Sequence, residues 1–137
     1  MSGSLILVAE DERDIREFLA MALEVSGFHV VEARNGEEAI ALAASHTPDL
    51  ILLDIRMPKV TGFQACEALK SDPNTKDIPI IFLSAYANHD EIQQGLALGA
   101  DEYLTKPIGP DVLTQRVTDV LRQSRPQKTA VKVSVTT

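Results

Sequence analysis

Glu10, Asp11, Asp54, Ser84 and Lys106 are the residues whose types and positions could do chemistry in this chain. Each stands at or just past the end of an apolar run. Leu5-Ile6-Leu7-Val8-Ala9 leads into Glu10-Asp11, Leu50-Ile51-Leu52-Leu53 into Asp54, Ile80-Ile81-Phe82-Leu83 into Ser84, and Tyr103-Leu104-Thr105 into Lys106. An ionised Asp at the lip of a buried strand needs a cation, hydrogen-bond donors or a chemical role. Three carboxylates in one cleft repel one another unless a cation is present. Hard oxygen ligands with one or two carboxylates suit Mg2+, and no Cys/His cluster argues for zinc. Lys106 offers a mobile positive charge suited to a phosphoryl oxygen. Asp54 then reads as a nucleophile that can form an aspartyl phosphate.

The elements that must position these groups alternate strand and helix five times. Strands are expected over Leu5–Ala9, Phe28–Ala33, Asp49–Asp54, Pro79–Ser84 and Glu102–Thr105. The first helix, Asp14 to Ser26, carries apolar residues at Ile15, Phe18, Leu19, Ala22 and Leu23 and ends at Gly27. Asn35 with Glu38, Thr61 with Gln64 and Asn88 with Glu91 have capping-box spacing for three more helices. Gly109-Pro110 opens the last, with Leu113, Val117, Val120 and Leu121 inward. Strands apolar throughout, alternating with amphipathic helices, imply a parallel α/β sheet covered on both faces. In such doubly wound folds ligands bind beyond the carboxyl ends of the strands.

Composition narrows the function classes. The 137 residues suit one domain with a full core. No apolar run approaches the ~18 residues of a membrane span, and no signal-peptide core follows Met1, so a cytoplasmic protein is expected. Cys66 is the only cysteine and reads as a small core residue. The net charge of −7 is uneven: all 20 acidic residues lie within residues 1–121, and residues 122–137 hold four basic residues. An acidic body argues against direct nucleic-acid binding. None of His29, His46 and His89 has metal-ligand spacing to another ligand.

The set as a whole resembles a response regulator receiver domain of two-component signalling. The matching elements are Ile6–Glu12, Leu52-Leu53-Asp54-Ile55-Arg56-Met57-Pro58, Thr61-Gly62, Phe82-Leu83-Ser84-Ala85, Gly99–Leu104 and Thr105-Lys106-Pro107, over roughly residues 4–123. Their order, with 30 residues from Asp54 to Ser84 and 52 from Asp54 to Lys106, carries the likeness. The resemblance implies a flavodoxin-like five-stranded sheet, order 2-1-3-4-5, flanked by five helices. It implies that Asp54 accepts a phosphoryl group from a sensor histidine kinase or phosphotransfer protein. Asp11, Asp54 and the Arg56 backbone carbonyl would hold Mg2+ (or Mn2+), with Glu10 acting through a water. Lys106 and Ser84 would bind the phosphoryl, and Ser84 with Tyr103 would form the switch. The Lys106–Pro107 bond would be cis. A downstream protein partner or an output domain would read the result, and a homodimer would form through helix 4, strand 5 and helix 5.

Other readings are weaker. A phosphorylation-independent interaction module of the same fold is the main alternative. A phosphohydrolase would need a second Asp where Arg56 stands, and a flavodoxin would need a phosphate-binding loop after strand 1. Within the family pattern, Glu10 replaces a common Asp, and bulky Arg56 and Tyr86 flank the expected path of an attacking water, where they would slow dephosphorylation. The last helix is expected to end at Ser124-Arg125-Pro126, leaving residues 124–137 as a basic tail or linker. Within it Ala130–Thr136 alternates apolar and polar, as an edge strand would.

Overall fold

In the computed structural model, residues 3–86 and 88–130 are described, the last seven of these by backbone alone. The chain alternates β1 (Leu5–Ala9), α1 (Arg13–Val25), β2 (His29–Ala33), α2 (Gly36–His46), β3 (Leu50–Asp54), α3 (Gly62–Lys70), β4 (Ile80–Ser84), α4 (His89–Ala97), β5 (Glu102–Thr105) and α5 (Pro110–Ala130). The strands form one parallel sheet in the order β2-β1-β3-β4-β5, as expected. β3 lies at its centre, with Ala9 opposite Leu53 on one side and Asp54 opposite Leu83 on the other.

Alternation along the strands divides the core in two. Ile6, Val8, Leu50, Leu52, Ile81 and Leu83 meet Leu19, Leu23, Leu113 and Val117 of α1 and α5. Leu7, Ala9, Ile51, Leu53, Ile80 and Phe82 meet Ala39, Ala43, Ala65 and Leu69 of α2 and α3. Both faces of β1, β3 and β4 are thus covered, which is why their sequences are continuous apolar runs rather than alternating ones.

Local signals set the element ends. The Asn35 side chain accepts from the Glu38 N–H, and Thr61 with Gln64 closes a full capping box. α2 stops at Thr47, in the left-handed region at φ 41°, one residue before Pro48. Close approaches at Gly62 and Gly95 need glycine. A Cβ on Gly62 would lie 2.3 Å from the Asp54 carbonyl oxygen, and one on Gly95 would lie 2.9 Å from the Phe82 ring. Gly62 thereby lets the start of α3 sit directly on the backbone of Asp54.

Two expectations change. Phe18 is 46% exposed, because the inward stripe of α1 is Arg16, Leu19, Ala20 and Leu23, with the i, i+3, i+4, i+7 spacing of a helix. α5 does not end at Pro126 but continues to Ala130. Proline removes one backbone donor and crowds the carbonyl four residues back, which disfavours a helix interior, yet α5 runs through it. The proposed edge strand therefore loses Ala130, and its remaining residues lie outside those described.

Candidate functional site

The carboxyl ends of β1, β3, β4 and β5 converge on one rim. Backbone hydrogen bonds hold the strand ends past the sheet proper: Glu10 N–H to the Ala33 carbonyl at 3.1 Å, Ile55 N–H to Leu83 at 3.1 Å and Lys106 N–H to Ser84 at 2.7 Å. Gly62 N–H donates to the Ile55 carbonyl, tying α3 to the same rim. Glu10, Asp11 and Asp54 are brought together, each offering a carboxylate oxygen within 4.8 Å of the others. Glu10 and Asp54 are buried and Asp11 is exposed.

Lys106 is the cation of this cluster. Its Nζ lies 2.7 Å from Glu10 Oε1 and 3.3 Å from Asp54 Oδ1. The peptide bond to Pro107 is cis, as the resemblance implied. Burial acts to lower the Lys106 pKa, but the Glu10 hydrogen bond and the Asp54 and Glu10 charges outweigh it and hold it above its ordinary value. Asp54 is pushed up to about 6, first by burial and then by the Glu10 charge, against the pull of Lys106. The site is therefore short of positive charge. Three hard oxygen donors, one of them the carboxyl that resists ionisation, fit a small divalent cation. The Arg56 carbonyl, on the loop just past Asp54, accepts no hydrogen bond among the described residues and remains available as a fourth oxygen.

Both carboxylate oxygens of Glu10 are engaged within the protein. Its Oε1 takes Lys106 and its Oε2 accepts from the Glu12 N–H at 3.0 Å. Arg16, not singled out from sequence, fixes the same segment. Its Nη1 donates to the Glu10 carbonyl at 3.0 Å and its Nε to Glu32 of β2 at 3.1 Å. The available signal was a charged residue on the inward stripe of α1.

Ser84 ends β4 on the side of Phe82, which is also the side of Tyr103 on β5. Its hydroxyl oxygen accepts from the Tyr86 N–H at 3.1 Å. The half-buried Tyr103 hydroxyl donates to the Tyr86 carbonyl at 3.0 Å and lies 3.2 Å from Glu91 Oε1. Burial first, and then the Glu91 charge against the Ser84 hydrogen bond, holds the Tyr103 phenol above its usual range. Arg56 reaches across from β3: its guanidinium carbon is 4.5 Å from the Tyr86 ring centroid, and its Nη2 pairs with Glu91 Oε2. Glu91 thus joins both groups, a role that its capping position in sequence did not disclose.

The sequence model of the response regulator receiver domain matches residues 6–118. The chain belongs to the response regulator receiver domain family. It is 43% identical over 135 residues to the phosphate regulon transcriptional regulatory protein PhoB of Pseudomonas aeruginosa, covering 98% of this chain and 59% of that protein. The chain thus spans about three fifths of that relative's length, and half of the transcriptional regulator ycf27 of Porphyridium aerugineum, described as probable. A structure from Chloroflexus aurantiacus, described as a putative response regulator, superposes with a TM-score of 0.84 at 31% identity, covering 88% of this chain and 98% of that one. The chemotaxis protein CheY4 of Vibrio cholerae gives 0.83 at 31% identity, over 86% and 98%. Among the described residues of this receiver, no helix is long and apolar enough to cross a membrane.

Proposed function

We propose that this receiver is a Mg2+-dependent phosphorylation switch whose phosphoacceptor is Asp54. The observation that carries the proposal is the shared Lys106, within 3.3 Å of Asp54 and 2.7 Å of Glu10, beside a buried carboxyl at the end of the central strand. An Asp54 oxygen attacks the phosphorus of a phosphohistidine on a sensor kinase or phosphotransfer protein. The P–N bond breaks and its electron pair returns to the imidazole. A carboxyl pushed up to about 6 is mostly ionised at neutral pH, yet more basic than an ordinary one, which favours the attack. Mg2+, or Mn2+ in its place, held by Asp11, Asp54 and the Arg56 carbonyl with Glu10 behind a water, would supply neutralising charge at the transferring oxygens. Lys106 turns from Glu10 to the phosphoryl, and Ser84 leaves the Tyr86 N–H to donate to a phosphoryl oxygen.

That movement is the switch. Ser84 and Tyr103 share the Tyr86 backbone, one through its N–H and the other through its carbonyl. Displacing Ser84 therefore shifts the seat of Tyr103 and the surface of α4, β5 and α5. The new charge biases two packings rather than building a new one. Arg56, stacked on Tyr86, shields the acyl phosphate and slows its hydrolysis. The switch domain covers residues 4–123, works in the cytoplasm, and is read by a downstream protein or an output domain. A homodimer through α4, β5 and α5 is one form of that readout.

Incubation with Mg2+ and a small acyl-phosphate donor, followed by intact mass, tests the proposal. A gain of one phosphoryl that is absent in Asp54→Asn is the expected result. No gain, even with a cognate kinase, would leave the phosphorylation-independent interaction module.

A further inference from the structure

We propose that Glu91 of α4 is a positioning residue that sets how long the phosphoryl group survives on Asp54. The inference rests on the phosphorylation reading above and extends it to a residue outside the acidic cluster. Asp54 ends β3 and Ser84 ends the neighbouring β4. Arg56 and Tyr86, two residues past each, stack on one another. Arg56 is 56% exposed, so stacking on Tyr86 alone would leave its long side chain free to swing into solvent. The Glu91 carboxylate, only 20% exposed, pairs with its Nη2 and holds it there. The other oxygen of the same carboxylate faces the Tyr103 hydroxyl.

Glu91 is itself fixed. It occupies the first turn of α4, where the Asn88 side chain accepts from the Asp90 and Glu91 N–H groups at 2.8 and 3.3 Å. A carboxylate there is also favoured by the helix dipole. One side chain on a capped helix start thus anchors both the shield over the acyl phosphate and the aromatic that responds to it. Hydrolysis requires a water oxygen to attack phosphorus. The P–O bond to Asp54 then breaks, its electron pair returns to the carboxylate, and the water's proton is released. Holding Arg56 across that approach lowers the rate without touching the reacting atoms.

The test loads the protein with phosphoryl from a small donor, removes the donor and follows the loss by intact mass. Glu91→Gln keeps an acceptor for Tyr103 and removes the charge that holds Arg56. The lifetime is expected to shorten about two- to fivefold, the scale set by a partly exposed ion pair. In an Arg56→Ala background the same substitution is expected to change nothing, whereas in Tyr103→Phe it keeps its full effect. Added salt is expected to shorten the wild-type lifetime more than that of Glu91→Gln. A merely structural role would show equal shortening with or without Arg56, and that result overturns the inference, as does an unchanged lifetime in Glu91→Gln. If the unsubstituted protein takes no phosphoryl at all, the proposed function falls and this inference falls with it, a failure visible before any variant is compared.

Discussion

Replacing Asp54 by Asn is expected to stabilise the metal-free protein at neutral pH, by an amount that depends on pH. The Asp54 side chain is 5% exposed. Its carboxyl is pushed up to about 6 by burial and the Glu10 charge, with the attraction of Lys106 already acting against them. In the unfolded chain an Asp titrates near ~3.9. Between these values the folded state binds more protons than the unfolded state, so this group makes stability fall as pH rises through the window. A two-unit rise at about 1.4 kcal/mol per unit costs roughly 3 kcal/mol once Asp54 is ionised in both states. Near pH 4.5 the folded carboxyl is still mostly protonated, and the same linkage leaves about 1 kcal/mol. Asn has no charge to desolvate, and Lys106 keeps Glu10 at 2.7 Å.

The quantity to measure is therefore the gap between variant and parent in urea unfolding, in chelator, at pH about 7.5 and about 4.5. It should favour the variant at the higher pH and shrink by about 2 kcal/mol on acidification. Mg2+ at ten times its dissociation constant should return about 1.4 kcal/mol to the parent and less to the variant. A variant no more stable than its parent at pH 7.5, or a gap that ignores pH, would refute the electrostatic account of the site.

Glu10→Gln should lower the Asp54 pKa from about 6, because it removes one of the charges that raise it and frees Lys106 for Asp54. Carboxylate-resolved NMR titration of the metal-free protein checks this, and an unmoved or higher value would refute it. Gly62→Ala should cost about 3 kcal/mol in urea unfolding and reduce phosphoryl acceptance, since its Cβ would lie 2.3 Å from the Asp54 carbonyl oxygen. Arg16→Met should cost about 2 kcal/mol by losing its donors to Glu10 and Glu32, read from the urea midpoint. Thr75→Val should cost about 1–2 kcal/mol by the same measurement, because it strips a 2.7 Å donor from the buried Leu69 carbonyl, while Thr75→Ser should be nearly neutral.

The sheet was legible because its strands announce themselves twice. Continuous apolar runs at β1, β3 and β4, short and bounded by polar and turn residues, read as strands covered on both faces, and each ends in polar residues at the sheet's rim. That juxtaposition exposed Glu10, Asp11, Asp54 and Ser84 without reference to side-chain contacts. What stayed hidden depends on distance in sequence. Arg56 and Glu91 are 35 residues apart, and nothing local distinguishes Glu91 from an ordinary cap residue. Arg16 was masked by the apolar residues around it, although its spacing from Leu19, Ala20 and Leu23 placed it inward. Periodicity over α1 also admitted Phe18 to the stripe, because a helical face is wide enough to blur its edges. For α5, Pro126 was read as a stop, whereas the backbone on its C-terminal side keeps helical geometry.

The charge balance of the rim explains why these parts occur together. Glu10, Asp11 and Asp54 place three carboxylates within 4.8 Å, and Lys106 answers with one ammonium. The deficit of two positive charges equals the charge of one divalent cation. Lys106 cannot serve both buried carboxylates equally, and its distances of 2.7 and 3.3 Å favour Glu10. That preference is conditional. Phosphorylation would raise the negative charge at Asp54 from one to about two and add acceptor oxygens further out from the strand end. The pull on Lys106 would then reverse. The Glu12 N–H still satisfies one oxygen of Glu10, so releasing Lys106 does not strand that buried carboxylate without a partner. Before phosphorylation Lys106 thus rests on Glu10, and the Arg16 bond to the Glu10 carbonyl holds that acceptor on β1. Under the proposed function, a rim with two anchored acceptors and one donor placed between them would give phosphorylation a pre-set second position for Lys106 to take.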